Sequence, residues 1–163
     1  MHRIACKGAI YTVTFQEKVR QVLQEKEVPL DKAIRSLNIC SKELEPYITQ
    51  PQGMLEYGRN VIYRNQQVEV IVVYLPPFAK TLVHDHGFSK GEVYVVQGSL
   101  LNLIYHKDLS VNKIESYKAD ESFHVQGDTI HLMFNPTPFE VISFHVYSPP
   151  LAHNQTYPAE GRE

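Results

Sequence analysis

Apolar positions recur at helical spacing through the first third of the chain. Phe15, Val19, Val22 and Leu23 fall on one side of a helix. Thr14, with Glu17 three residues on, has the spacing of a capping box that would start it. Pro29 opens a second helical turn whose apolar face is Leu30, Ala33, Ile34 and Leu37, and Ser41 is placed to cap a short third helix through Lys42, Glu43 and Leu44. Stripes of this kind face a core. The segment is therefore expected to scaffold rather than to react.

From about Tyr57 the period changes to short β-rich runs broken by turn residues, which suggests a sandwich or barrel rather than βαβ units. Strands are expected over 60–64 and 68–74, a hairpin around Asn65-Gln66-Gln67 that Pro76-Pro77 stops, and then over 81–86, 92–97, 100–105, 113–117, 122–125, 130–134 and 140–147. Gly98, Asp108 and Gly127-Asp128 mark turns, and the tail after Pro150 is expected either to hug the surface or to lie loose. No internal repeat is evident. At 163 residues the chain reads as one domain, helical over about 1–50 and β over about 57–150. That length buries a core without disulfides or an oligomer.

Composition narrows the partners. A formal net charge of −2 gives no basic surface with which to neutralise phosphates, so nucleic acid is not expected and small molecules are. Cys6 and Cys40 sit in the N-terminal quarter, away from the histidines, and are expected to stay thiols. No apolar run reaches the roughly 20 residues of a membrane span, and the first residues lack the pattern of a secretory signal. A cytoplasmic protein with no obligate protein partner is expected.

The chemistry concentrates in histidine. In Val83-His84-Asp85-His86-Gly87, two imidazoles two residues apart would share one face of a strand, and His131 would close the site from a distant strand. Imidazole is the commonest metal ligand. Three neutral ligands leave a divalent ion its full charge and open positions for substrate, which favours a catalytic site over a closed structural one. Ser143, His145 and Tyr147 alternate along one strand while Ile142, Phe144 and Val146 take its other face. Facing inward, the three polar groups would satisfy one another as a hydroxyl, imidazole and phenol relay. The alternative is a strand on the exterior with polar residues outward. Asp85 should point away from the ligands, and Asn135 should orient the turn at Pro136. His2, His106, His124 and His153 are expected to be ordinary solvated or hydrogen-bonded side chains.

The stretch from His84 to Gly98 resembles the first motif of the cupin family, in which a His-x-His pair precedes an acidic residue and a turn glycine. The resemblance implies a mainly β fold, a small jelly-roll β-barrel, here with two to three N-terminal helices. The family's acidic ligand position falls on Gly91, and Glu92 is one residue off and turned to the other face. A local bulge could return Glu92 to the site as a fourth ligand.

Tyr57-Gly58-Arg59-Asn60, His84-Asp85-His86-Gly87 and Ser143 to Pro150, taken together, are similar in order and spacing to the thiol dioxygenases, and within them to the bacterial cysteine dioxygenases. That implies Fe(II) held by His84, His86 and His131, with L-cysteine and dioxygen converted to cysteine sulfinate. Nitrogen ligands favour zinc or nickel over Fe(II), so a purified sample could carry either. Arg59 matches the arginine that pairs with the substrate carboxylate, where its planar fork meets two oxygens at once, and Tyr57 would sit beside it. The alternative for Arg59 is a solvated residue at a strand start. Tyr147, supported by His145 and Ser143, is implied to position substrate and oxygen, and Ser148-Pro149 is implied to be cis. Animal members carry a cysteine cross-linked to the tyrosine; Gly91 stands there, so no cross-link to Tyr147 is expected. Three other readings stay open: a 3-mercaptopropionate dioxygenase, whose relatives place glutamine where Arg59 stands; a non-catalytic cupin that binds a metal or metabolite; and an isomerase or decarboxylase using a carboxylate ligand.

Overall fold

In the structure, a computed structural model that describes residues 13–24 and 28–158, the helical third comes first: α1 (Phe15–Leu23), α2 (Leu30–Ser36), α3 (Ser41–Leu44) and a 3-10 turn (Glu45–Tyr47). The Thr14 hydroxyl accepts from the Glu17 amide at 3.2 Å, half of the expected box. The Glu17 carboxylate pairs with Arg20 instead. The other two starts are each displaced by one residue. Pro29, expected to open α2, is its N-cap, so that helix begins one residue later at Leu30, and Cys40 rather than Ser41 precedes α3, which begins one residue earlier, the Cys40 amide donating to the Glu43 carboxylate at 3.2 Å. His2 and Cys6 lie outside the described residues.

Ten strands follow: β1 (Gly58–Arg64), β2 (Glu69–Leu75), β3 (Val83–His84), β4 (Lys90–Gln97), β5 (Ser99–Tyr105), β6 (Val111–Lys118), β7 (Ser122–Val125), β8 (Ile130–Phe134), β9 (Val141–Ser148) and β10 (Thr156–Tyr157). They form two five-stranded sheets, β1-β2-β9-β4-β7 and β10-β3-β8-β5-β6, with every pairing antiparallel. The fold is thus the mainly β jelly-roll class with three short helices. Its strands lie in two sheets rather than one closed ladder. No helix among the described residues is long and apolar enough to cross a membrane.

Strand β9 explains how the layers assemble. It lies between β2 and β4, and Val141 through Tyr147 are all buried. Its even-numbered residues Ile142, Phe144 and Val146 meet the helices through Phe15, Val19, Ile34 and Leu37. Phe15 sets its ring edge against Phe144 at a centroid distance of 6.0 Å. This is the scaffold role expected of the N-terminal segment. Ile71, Val73, Val93, Val95 and Met133 fill the space between the sheets. There the odd-numbered Ser143, His145 and Tyr147 of β9 sit opposite Val73, Ile71 and Glu69 on one neighbour and Val95, Val93 and Gly91 on the other.

One expectation about the backbone is corrected and one is narrowed. Only Val83 and His84 of the expected 81–86 run are strand, because His86 turns out of the ladder to bond Gly127, its amide donating to the carbonyl at 2.8 Å. The tail is not loose. Thr156 and Tyr157 pair with His84 and Val83 and extend the second sheet. Asn135 behaves as expected: buried, its amide donates to the carbonyls of Pro76 at 2.9 Å and Phe139 at 2.6 Å, and its oxygen accepts from the Thr137 amide. The Ser148-Pro149 bond is cis.

Phe144 carries the contact between helices and sheet with no exposure at all. Phe144→Ala is expected to destabilise the protein by about 3–5 kcal/mol, read as a lower denaturant midpoint at unchanged slope.

Candidate metal centre

His84 comes from β3, His131 from β8 and His86 from the turn beyond β3. His84 and His131 are direct register partners. Departure of His86 from the strand does not scatter the rings: their centroids lie 4.8 to 5.0 Å apart. One nitrogen from each falls within 4.8 Å of the others. The turn that brings His86 round depends on Gly87, whose φ of +59° suits glycine and whose missing side chain would meet the Ala152 carbonyl at 2.8 Å.

The donor set fits a metal ion. Nδ1 of His84 lies 2.7 Å from the Leu82 carbonyl, and Nδ1 of His131 lies 2.7 Å from the Asn102 side-chain oxygen. Both nitrogens must donate, which leaves each Nε2 as a lone-pair donor. Nε2 of His131 and Nδ1 of His86 are buried with no hydrogen-bond partner among the described residues. Leaving a buried nitrogen unsatisfied costs free energy, and a shared cation would relieve it. Burial also holds the rings neutral. It lowers His84 and pushes His131 well below the usual histidine range, and with the help of His84 it holds His86 down to about 3. Neutral imidazole is the form a metal requires.

No carboxylate joins this cluster among the described residues. Gly91 faces the site, and a side chain there would drive into the Tyr147 ring at 2.5 Å. Glu92 points to the opposite face and lies 3.5 Å from His124. The β4–β9 register runs unbroken from Lys90 to Val95, and its one irregularity falls between Val95 and Gln97. The alternative of a bulge that swings Glu92 inward is therefore not the one the chain adopts.

Beside the histidines lies a cavity of about 300 Å³. Arg59, Tyr57, His145 and Tyr147 line it together with His84 and His86. Every residue singled out in the sequence for the site is thus in or next to one space, with Ser143 behind His145. The relay exists as a chain of contacts, Ser143 Oγ to His145 Nε2 at 2.8 Å and His145 Nδ1 to Tyr147 Oη at 2.9 Å, all three residues buried. Burial, with smaller contributions from His86 and His84, lowers His145 to about 3, so it is neutral. One of its nitrogens donates and the other accepts, which polarises hydroxyl and phenol in a fixed sense. Burial raises the Tyr147 phenol well above its usual range, and it stays protonated at neutral pH.

Three contributors were missed in the sequence. Glu69, 1% exposed, lies 3.1 Å from Arg59 and 3.4 Å from Arg64, and also accepts the Leu151 amide at 3.1 Å. One carboxylate between two guanidiniums leaves a net positive charge at the cavity wall. Asn102 holds His131 from behind. The C-terminal strap forms a wall through Leu151, Asn154 and Thr156. Asp85, turned away from the ligands as expected, fastens that strap: it accepts the Gln155 amide at 3.0 Å and the Tyr157 hydroxyl at 2.6 Å, besides the Gly87 amide. Glu69 and Asn102 had a signal, each being a lone polar residue within an apolar run, Val68 to Val73 and Leu100 to Ile104.

No family model matches the chain. Among solved structures, it is similar to an uncharacterised Klebsiella pneumoniae protein with a double-stranded β-helix domain (TM-score 0.61, 18% identity, 71% of this chain and 95% of that one). It is also similar to an oxalate oxidase (TM-score 0.58, 13% identity, 69% of this chain and 60% of that one) and to the Schizosaccharomyces pombe Cnp3 cupin domain (TM-score 0.55, 14% identity, 64% of this chain and 70% of that one). Identities this low speak for the fold alone. The chain has the cupin, or double-stranded β-helix, fold. Within it stands a three-histidine cluster able to hold a metal ion.

The depressed imidazoles set a pH dependence for the metal-free protein. Above pH 6.5, His86 and His145 are neutral whether folded or unfolded and stability is at its full value. As pH falls from 6.5 toward about 3, the unfolded chain takes up protons that the folded one refuses. Stability is expected to fall by about 1.4 kcal/mol per pH unit for each such group. Denaturant titrations across this range check it, and His145→Gln should remove one group's share of the slope.

Proposed function

We propose that the protein is an Fe(II)-dependent thiol dioxygenase that converts L-cysteine and dioxygen to cysteine sulfinate. The observation that carries this reading is a guanidinium, Arg59, in the same small cavity as neutral imidazoles whose cluster, among the described residues, includes no carboxylate. Fe(II) held by His84, His86 and His131 would supply the redox chemistry that places both atoms of one dioxygen on sulfur, turning a thiol into a sulfinic acid.

The chain's own residues account for the choice of substrate. A ligand set without charge leaves room for an anionic sulfur, since no carboxylate ligand competes with it electrostatically. Arg59 spends one N–H on Glu69 and keeps further donors for a substrate carboxylate. Because Glu69 is shared with Arg64, the wall keeps a positive charge that suits an amino acid carboxylate. Glu69 also stops Arg59 from swinging away, so its fork is positioned before substrate arrives. The cavity, at the low end of the size range of ligand sites, suits a small amino acid.

Tyr147 supplies a protonated hydroxyl at the cavity, held in place by His145 and, behind it, Ser143. Its ring lies tilted by 31° to that of His86 at a centroid distance of 4.8 Å, which puts the phenol beside one of the three imidazoles. A neutral donor there can hydrogen-bond a developing negative charge without adding one of its own.

Iron-loaded protein is expected to consume dioxygen with L-cysteine and release cysteine sulfinate in equal amounts. A preference for 3-mercaptopropionate in the same oxygen-uptake assay would reassign the substrate, and no sulfinate from either thiol under reducing conditions would sink the dioxygenase reading. Arg59→Ala is expected to raise KM for cysteine about 10- to 100-fold through loss of charge-assisted hydrogen bonds, with iron content unchanged. Tyr147→Phe should instead lower kcat.

A further inference from the structure

A carboxamide in an apolar strand needs a reason. Leu100, Asn102 and Ile104 share the inward face of β5; Leu100 is fully buried and Asn102 is 3% exposed. On β6, Glu115 is the direct register partner of Asn102, and on β8 His131 is paired with Ile104, one inward position along. Asn102 therefore stands between a surface carboxylate and a buried imidazole. It touches both: Nδ2 donates to Glu115 Oε2 at 3.4 Å, and Oδ1 lies 2.7 Å from His131 Nδ1.

The logic of donors and acceptors runs one way along this line. An ionised carboxylate only accepts, so the Asn102 NH2 must face Glu115 and its oxygen must face His131. An amide oxygen also only accepts, so His131 must carry its proton on Nδ1, which leaves the Nε2 lone pair pointing into the cluster. Glu115 is itself fixed from the surface side by Lys113 and by the Tyr117 hydroxyl at 2.9 Å. The hydrogen bond from Lys113 keeps its carboxyl below the usual range, against a smaller opposing effect of burial.

We infer that Asn102, oriented by Glu115, is the positioning residue that sets the tautomer and ring orientation of His131 and so makes it a neutral nitrogen donor to the metal. Charge stops at Glu115. The carboxamide passes on orientation while keeping the negative charge one residue away from the imidazole, whereas a carboxylate in its place would push the ring toward imidazolate and partly cancel the charge of the ion. His131 thus has a neutral group directly behind it. The inference rests on the metal reading of the three histidines and not on the identity of the thiol.

The tautomer is readable without metal or substrate, which separates failure of this inference from failure of the dioxygenase reading. In metal-free protein carrying 15N-labelled histidine, two-bond 1H–15N correlation spectra at neutral pH are expected to show His131 protonated on Nδ1. Asn102→Leu should move the proton wholly or partly to Nε2 and weaken cobalt(II) binding about 10- to 100-fold. Asn102→Asp, which keeps an acceptor oxygen, should hold the Nδ1 proton and bind cobalt(II) at least as tightly as the parent, with a shifted absorption spectrum. If Asn102→Leu does not fold, Glu115→Leu on the outer strand carries the test, with a mixed His131 tautomer expected. A parent His131 protonated on Nε2, parent affinity in Asn102→Leu, or a His131 signal unchanged in Glu115→Leu would each overturn the inference.

Discussion

A strand with no solvent on either face is the constraint on which the rest of this molecule depends. Every side chain from Val141 to Tyr147 is buried, so each must find a partner or be apolar. The even residues solve this with hydrocarbon against the helices. The odd ones solve it with one another, and a serine, a histidine and a tyrosine in sequence form a chain of hydrogen bonds that ends at the cavity. Scaffold and site are the two sides of one strand, and the helices matter to the chemistry because they keep its outer face dry.

The same economy of charge runs through the metal cluster. Three imidazoles held neutral by burial, one of them braced by a backbone carbonyl and another by a carboxamide, contribute no net charge. The charged groups stand outside the cluster. Glu69 lies between two arginines, and Glu92 faces His124 on the opposite side of its strand. What the cavity offers to a ligand is the fixed positive edge of Arg59 and a set of oriented dipoles.

Much of this was legible in the sequence because period and spacing are local properties. Alternation along β9, the His84 and His86 pair, and the empty acidic position at Gly91 needed no knowledge of which strands would be neighbours. What could not be seen depended on pairing between distant segments. Nothing in the segment around Thr156 announces a strand; it becomes one because His84 and Asp85 offer it partners some 70 residues away. Glu69 and Asn102 stood out as polar interruptions of apolar runs, but their partners, Arg59, Arg64 and His131, come from other strands. Even His86 reached its place by a route different from simple alternation, through a turn that Gly87 permits.

The strap from Leu151 to Tyr157 is joined to the second sheet by two register pairs, to Asp85 by its carboxylate and its amide, and to Glu69 through the Leu151 amide. A short edge strand opens with less free energy than the global fold. Its detachment would uncover one side of the cavity and take away the strand partner of His84 and the partners of Asp85, which stands between two of the imidazoles. The molecule thereby has a doorway whose hinge is built into its hearth, so that opening this wall loosens the same turn that presents the imidazoles.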